Sequence, residues 1–240
     1  MTNRVAVDVH DEARKFAVEL QEVLDAVLPV PTGADPEQRR VNVIVQGTRY
    51  AVHPGCGTQP ALITLTSKDV PVATLKVSYF CVADRRGHFL AVLKSTFELR
   101  ELDDRTPLLR ADYVRRGGRV PASHWNVHAE RGALSRLLAC TNPTHTAQLS
   151  KIHLPVGGAR HRVCLEDFLQ LLLIEFNVDR EPRAMQAINA GRERWRRLQI
   201  ATLTRDAPEV AAGVLESLGY TVTPPDGGHP SADSEALQRW

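Results

Sequence analysis

The spacing of apolar residues changes twice along the chain, and each change marks a change of element. Phe16, Leu20, Val23, Leu24, Val27 and Leu28 recur at helical spacing, with Asp11 placed to cap the N-terminus and Pro29 and Pro31 ending the run. From Val41 the period falls to two, which predicts strands over Val41–Val45, Tyr50–His53, Ala61–Leu65, Ala73–Ala83 and Phe89–Leu102. The last two are separated only by Asp84-Arg85-Arg86-Gly87-His88, the signature of an antiparallel hairpin. Leu108–Val114 reads as another strand, and Arg115-Arg116-Gly117-Gly118-Arg119 as a mobile loop before Pro121.

In Ser123–His128, Trp125 and Val127 alternate with His124, Asn126 and His128. An extended backbone would bury the first pair and turn the three polar residues outward. A short helix is expected across Gly132–Cys140, and an edge strand over Lys151–Leu154 before the turn Pro155–Gly158. The chain then returns to helical spacing. Leu165, Phe168, Leu169, Leu172 and Phe176 mark one helix; Met185, Ile188, Trp195 and Leu198 mark a longer one. A third starts at Pro208, whose missing N–H is harmless at a first helical position, and stops near Gly219. Beyond Thr223 the residues are rich in Pro, Gly, Ser and Asp, a composition expected to stay disordered.

Strands that arrive in a run, with helices before and after them, predict an α+β fold: an antiparallel sheet flanked by an N-terminal helix and a C-terminal helical segment. The expected division is a core domain over 1–178, a helical appendage over 179–222 and a tail over 223–240. A parallel dinucleotide-binding sheet loses support. Gly157-Gly158 is no Rossmann fingerprint, and GxxxxGK[ST] is absent from the sequence, so a glycine-rich phosphate cradle is not expected.

Composition narrows the partners. Basic and acidic residues number 30 and 28, so no whole-molecule field attracts nucleic acid and any such contact must be local. Only Lys15, Lys68, Lys76, Lys94 and Lys151 are lysines; all other basic residues are Arg, the cation suited to bidentate phosphate contacts. Cys56, Cys81, Cys140 and Cys164 form no CxxC pair, and reduced core thiols are expected rather than zinc ligands or disulfides. No segment has the ~18 apolar residues of a membrane span, and no apolar leader is seen, which predicts a cytoplasmic chain with no membrane partner.

Candidate chemistry gathers between Arg110 and His128. Two imidazoles, a carboxylate and a guanidinium suffice for phosphodiester cleavage, one His acting as base, another as acid, and Arg stabilising the charged transition state. The candidate catalytic residues are His124, His128, Arg110, Asp112 and His153, with Asp112 orienting an imidazole; Tyr113, Arg115, Arg116, Arg119 and Lys151 are candidates for binding substrate. Against this stands the reading that the same residues only solvate the outer face of a sheet. A metal shared by His124 and His128 is disfavoured, because four residues of strand separate them by roughly 13 Å. One of them with Asp112 and His153 leaves a metal site open, but no metal or other cofactor is expected. Arg192, Arg194, Arg196 and Arg197 around Trp195 offer phosphate contacts with base stacking, or merely the wet face of a helix.

The order Leu109-Arg110-Ala111-Asp112-Tyr113, then His124 and His128, then His153-Leu154-Pro155-Val156-Gly157-Gly158 and Leu165-Glu166-Asp167 resembles a group of bacterial proteins of unassigned role. More loosely, over about Leu108–Glu175, it is similar to the TumE-like toxins of toxin–antitoxin modules, which are taken to act on RNA. The resemblance implies a bacterial toxin or defence protein, a metal-independent ribonuclease using Arg110, Asp112, His124, His128 and His153, with RNA and a cognate antitoxin as partners. The competing expectations are a non-catalytic interaction subunit of a bacterial complex, docking through the sheet edge or the C-terminal helices, and a metal-dependent hydrolase.

Overall fold

The computed structural model describes residues 8–84, 87–104, 106–115, 120–129, 154–156 and 160–239. Its centre is one antiparallel sheet of eight strands: β1 (Val41–Gln46), β2 (Arg49–Pro54), β3 (Leu62–Ser67), β4 (Val70–Ala83), β5 (Leu90–Arg100), β6 (Pro107–Val114), β7 (Ser123–Val127) and β8 (Leu154–Pro155). Strand order is β1-β2-β4-β5-β6-β7-β8, with β3 also on β4. The length of β4 allows this: it pairs β3 through residues 70–76 and β2 through residues 79–81, while β5 runs along its other edge. The fold is α+β, as the run of strands predicts, and the β4–β5 hairpin is present.

The helices are α1 (Val9–Val27), a single turn α2 (Pro36–Arg39), α3 (Leu165–Glu175), α4 (Ala184–Asp206), α5 (Pro208–Ser217) and a short α6 (Ser234–Gln238). The three that form the core, α1, α3 and α4, lie on one face of this sheet. Leu20, Val23, Leu24 and Val27 of α1 join Leu165, Phe168, Leu169 and Leu172 of α3 and Ile188 of α4 above Leu75, Val77, Phe97, Leu99 and Ala111 of the sheet. Phe168 is the keystone. Its ring stacks on Trp125 of β7 at 5.6 Å and meets Phe97 of β5 at 5.9 Å, so one helical residue joins two non-adjacent strands. The rest of the C-terminal tail is tied to α4, the Asp233 N–H donating to the Asp206 carbonyl at 2.7 Å.

Both ends of α1 are specified by side chains. The N-cap is Asp8, whose carboxylate accepts from the N–H of His10 and Asp11 at 2.9 and 3.2 Å. The expected cap, Asp11, is instead a first-turn acid one turn further in, where it favours the helix dipole. The other end has no cation in its last turn. Arg39 supplies one from α2: Nη2 donates to the Leu24 carbonyl at 2.8 Å and to that of Leu28, and Nη1 to Pro29 at 2.8 Å. Carbonyls left over by the end of a helix thus find donors from a distant turn.

The β3–β4 turn has non-glycine residues at both left-handed positions, Lys68 (φ 54°) and Asp69 (φ 63°). Such residues pay for that backbone conformation. Asp179, on the α3–α4 connection, offsets the cost: its carboxylate accepts the N–H of Lys68 and of Asp69, each at 2.8 Å, while its own N–H donates to Thr66 at 2.7 Å. The Asp69 N–H, first among these donors, holds the Asp179 carboxyl below the ordinary carboxylate range. Its stabilising contribution is therefore present above the unfolded value of ~3.9 and is lost as pH falls through the depressed folded value. Asp179→Ala should lower stability at neutral pH, and denaturant titrations should show the gap to the wild type closing under acid conditions.

Candidate functional site

Register decides what shares a face. Phe97 pairs Val77 and Ala111, and Ala111 pairs Trp125, forming an apolar row beneath the helices. The adjacent rows project to the opposite face. One runs Ser78, Thr96, Asp112, His124; the next runs Lys76, Glu98, Arg110, Asn126. The alternation expected in β7 is present, with His124 and Asn126 opposite Trp125. That face is not the solvated surface expected of it, however, because His124 is 4% exposed, Asn126 1%, Glu98 3% and Asp112 9%.

Polar groups at such depth need partners. The Asp112 carboxylate accepts the Thr96 hydroxyl at 2.8 Å through Oδ1. Its Oδ2 lies 2.6 Å from Arg110 Nε, although that N–H is not directed at the oxygen, so the pair is a close charge contact rather than an aligned hydrogen bond. His124 donates from Nδ1 to the Pro121 carbonyl at 2.9 Å; a carbonyl can only accept, so this bond places a proton on Nδ1. Nε2 then stands 3.8 Å from Asp112 Oδ2. In the neighbouring row the Glu98 carboxylate receives Lys76 Nζ at 3.1 Å and Arg100 Nη2 at 2.5 Å. Among the described residues Lys76, Arg100 and Arg110 thus outnumber Glu98 and Asp112 in these two rows.

The structure brings together Arg110, Asp112 and His124 among the sequence-derived candidates. His128 follows β7, its N–H donating to the Leu108 carbonyl at 3.0 Å, which sets it one pair beyond Arg110 and Asn126. It is half-buried and diagonal to Arg110, within reach of a long side chain. The strand spacing keeps it roughly 13 Å from His124, too far for both to act on one phosphorus. Tyr113 does not join the group. It is buried on the helix-covered face, under the Arg162 guanidinium at 4.3 Å, because one step along a strand reverses side-chain direction. Arg115 ends β6, its N–H bonded to the Leu93 carbonyl. Arg116, Arg119, Lys151 and His153, with Cys140 and the helix expected over Gly132–Cys140, lie outside the described residues.

Arg162, Glu98, Lys76 and Glu166 were not among the site residues expected from sequence. For Lys76 and Glu98 a signal exists: they alternate with Leu75, Val77, Phe97 and Leu99 within the hairpin. Arg162 has none, since it lies outside regular elements and reaches Tyr113 and Trp195, at 4.3 and 5.6 Å, only through the fold. Glu166 is buried against Gly191 of α4, where an added Cβ would stand 2.3 Å from its Oε1. Burial pushes its carboxyl up.

Of the expected core thiols, Cys81 and Cys164 are buried and chemically quiet, whereas Cys56 is exposed in the turn after β2. Burial pushes Cys81 up to about 12 and raises Cys164 as well, so neither presents a thiolate nucleophile at neutral pH. The arginine run of α4 is largely engaged within the chain. Arg192 pairs with Asp167 at 2.7 Å, Arg194 with Glu19 at 3.4 Å and Arg197 with Glu193 at 2.6 Å. Among the described residues no group of three or more His, Cys, Asp or Glu is placed to hold a metal ion, and no helix is long and apolar enough to cross a membrane.

Compared with known proteins, the chain matches no family model, no curated protein and no solved structure.

The network makes a stability prediction. Asp112→Ala leaves the Thr96 hydroxyl and the Arg110 cation without their carboxylate. The loss should be about 1–3 kcal/mol in denaturant unfolding, below the full cost of orphaning a buried ion because Arg110 is 34% exposed and can rehydrate. Asp112→Asn should lose less.

Proposed function

We propose that the polar face of the sheet is an acid–base site for a phosphate-bearing substrate and that the chain is a metal-independent ribonuclease of toxin or defence type. The observation that carries this reading is the Arg110–Asp112–His124 cluster, set in two rows where Lys76, Arg100 and Arg110 outnumber Glu98 and Asp112 among the described residues. Weakly hydrated, pre-positioned cations stabilise developing negative charge far better than mobile ones in water.

Burial divides the roles. Asp112 and His124 are floor residues: Asp112 positions Arg110, and His124, fixed by Pro121, lines the floor beside that carboxylate. Arg110 and His128 are less deeply buried as residues than Asp112 and His124; the Arg110 Nε and His128 Nε2 atoms are inaccessible, so these two residues meet substrate through their remaining nitrogens. His128 takes the proton of a ribose 2′-hydroxyl as its oxygen attacks phosphorus. Arg110 grips the non-bridging oxygens, and the 5′-oxygen leaves with a proton from water. The products are a cyclic phosphate and a free 5′-hydroxyl. His124 does not serve as the second catalytic imidazole, since the strand spacing places it too far from His128.

His128→Gln should lower cleavage of single-stranded RNA by about 10²–10⁴-fold while leaving the fold intact. Arg110→Ala also strips Asp112 of its cation, so the informative pair is Arg110→Ala and Arg110→Lys. Lysine keeps the charge but loses the fork, and should recover stability more fully than activity. Gel-resolved cleavage alongside thermal melts reads both. If the wild type neither cleaves RNA nor arrests growth on expression, or if His128→Gln keeps full activity, the ribonuclease reading fails.

A further inference from the structure

The C-terminal helices carry two surfaces of complementary character that no other element among the described residues covers. Val210 and Val214 of α5 and its C-cap Leu218 are 67%, 54% and 69% exposed. Four-residue spacing places them on one stripe, which Leu215 widens. The helix turns only Ala212 into the molecule. A flank of the stripe carries Glu209 and Glu216, one heptad apart, and α5 contains no cation.

On α4, Asn189, Arg192, Glu193, Arg196, Arg197 and Ile200 share one face and frame a shallow, open groove between the side chains of that one helix. Ile200 is an exposed apolar residue within it, and with Arg192 paired to Asp167 and Arg197 to Glu193, Arg196 gives the groove its net positive charge. Only Ala207 separates α4 from α5. That short connection holds the two helices of one chain so that both surfaces remain exposed rather than covering each other.

We propose that these surfaces meet between two copies of the chain, the apolar, acid-flanked stripe of each α5 seating in the basic groove of the other copy's α4. A two-fold axis satisfies both contacts at once, because each copy offers the same stripe and the same groove. The apolar residues supply the dry centre, while Glu209 and Glu216 against Arg196 and Arg197 set direction at the rim. This association is independent of the chemistry on the sheet's polar face.

Sedimentation of the full chain over a concentration series tests it. The wild type should dimerise, more tightly at low ionic strength. Val214→Arg puts a cation against a basic groove and should raise the dissociation constant about tenfold or more with an unchanged circular dichroism spectrum. Arg196→Glu should also weaken the dimer, and adding Glu216→Arg to it should restore association by exchanging the two charges. A wild type monomeric at every concentration overturns the proposal, as does a dimer indifferent to Val214→Arg or a charge exchange that restores nothing. A monomer that binds single-stranded RNA and loses that binding with Arg196→Glu overturns it in favour of a nucleic-acid surface.

Discussion

The register shared by β4, β5, β6 and β7 is the constraint on which the rest of the structure depends. Pairing Val77 with Phe97, Phe97 with Ala111 and Ala111 with Trp125 gathers an apolar row on one side and, by the two-residue period, places Thr96, Glu98, Asp112 and His124 on the other. A slip of one residue in any of these strands would set a charge beneath Phe168 and an aromatic ring in the polar rows. Phe168 reinforces that choice, since its ring needs both Phe97 and Trp125 on the same side. Helix packing and strand register therefore select each other.

The polar face is costly to build. Carboxylates removed from water lose several kcal/mol of hydration, and pairing returns that only when geometry and hydrogen bonds are good. Asp112 has the Thr96 hydroxyl and the Arg110 charge, and Glu98 has Lys76 and Arg100. Packing such groups into a sheet contributes less to stability than aliphatic residues would. It does hold charges at set positions on rigid strands, the arrangement that an electrostatic site requires. Arg39 follows the same logic where α1 ends: a buried guanidinium is tolerated because helix carbonyls surround it.

The C-terminal helices are attached by polar links as much as by the core. Arg192 reaches Asp167, Arg194 reaches Glu19, and Arg160 forms a two-pronged contact with Asp206 at 2.7 and 3.2 Å. A helix held this way keeps its orientation while presenting its remaining side chains outward. That is why arginines suggestive of a nucleic-acid strip turn out to be divided between bracing the fold and lining a surface groove.

Local pattern was enough to determine the longer elements, though not the short helices Pro36–Arg39 and Ser234–Gln238. The period-two segments between Val41 and Val114 became strands, the two longest paired as a hairpin, and the helical stripes of Leu20–Val27 and Leu165–Leu172 face the core. Side-chain alternation in β7 was legible too, because opposite faces follow from backbone geometry alone. What covers a face does not, and so His124 and Asn126 read as solvated although they are buried. Tyr113 was grouped with Asp112 by sequence proximity, whereas the pleat sends adjacent residues to opposite sides. The meeting of Asp112 with Thr96 on one strand and His124 on another, and of Arg162 with Tyr113 and Trp195, required the assembled sheet and its helices. Such contacts depend on pairing and packing across long stretches of chain, and only tertiary structure decides those.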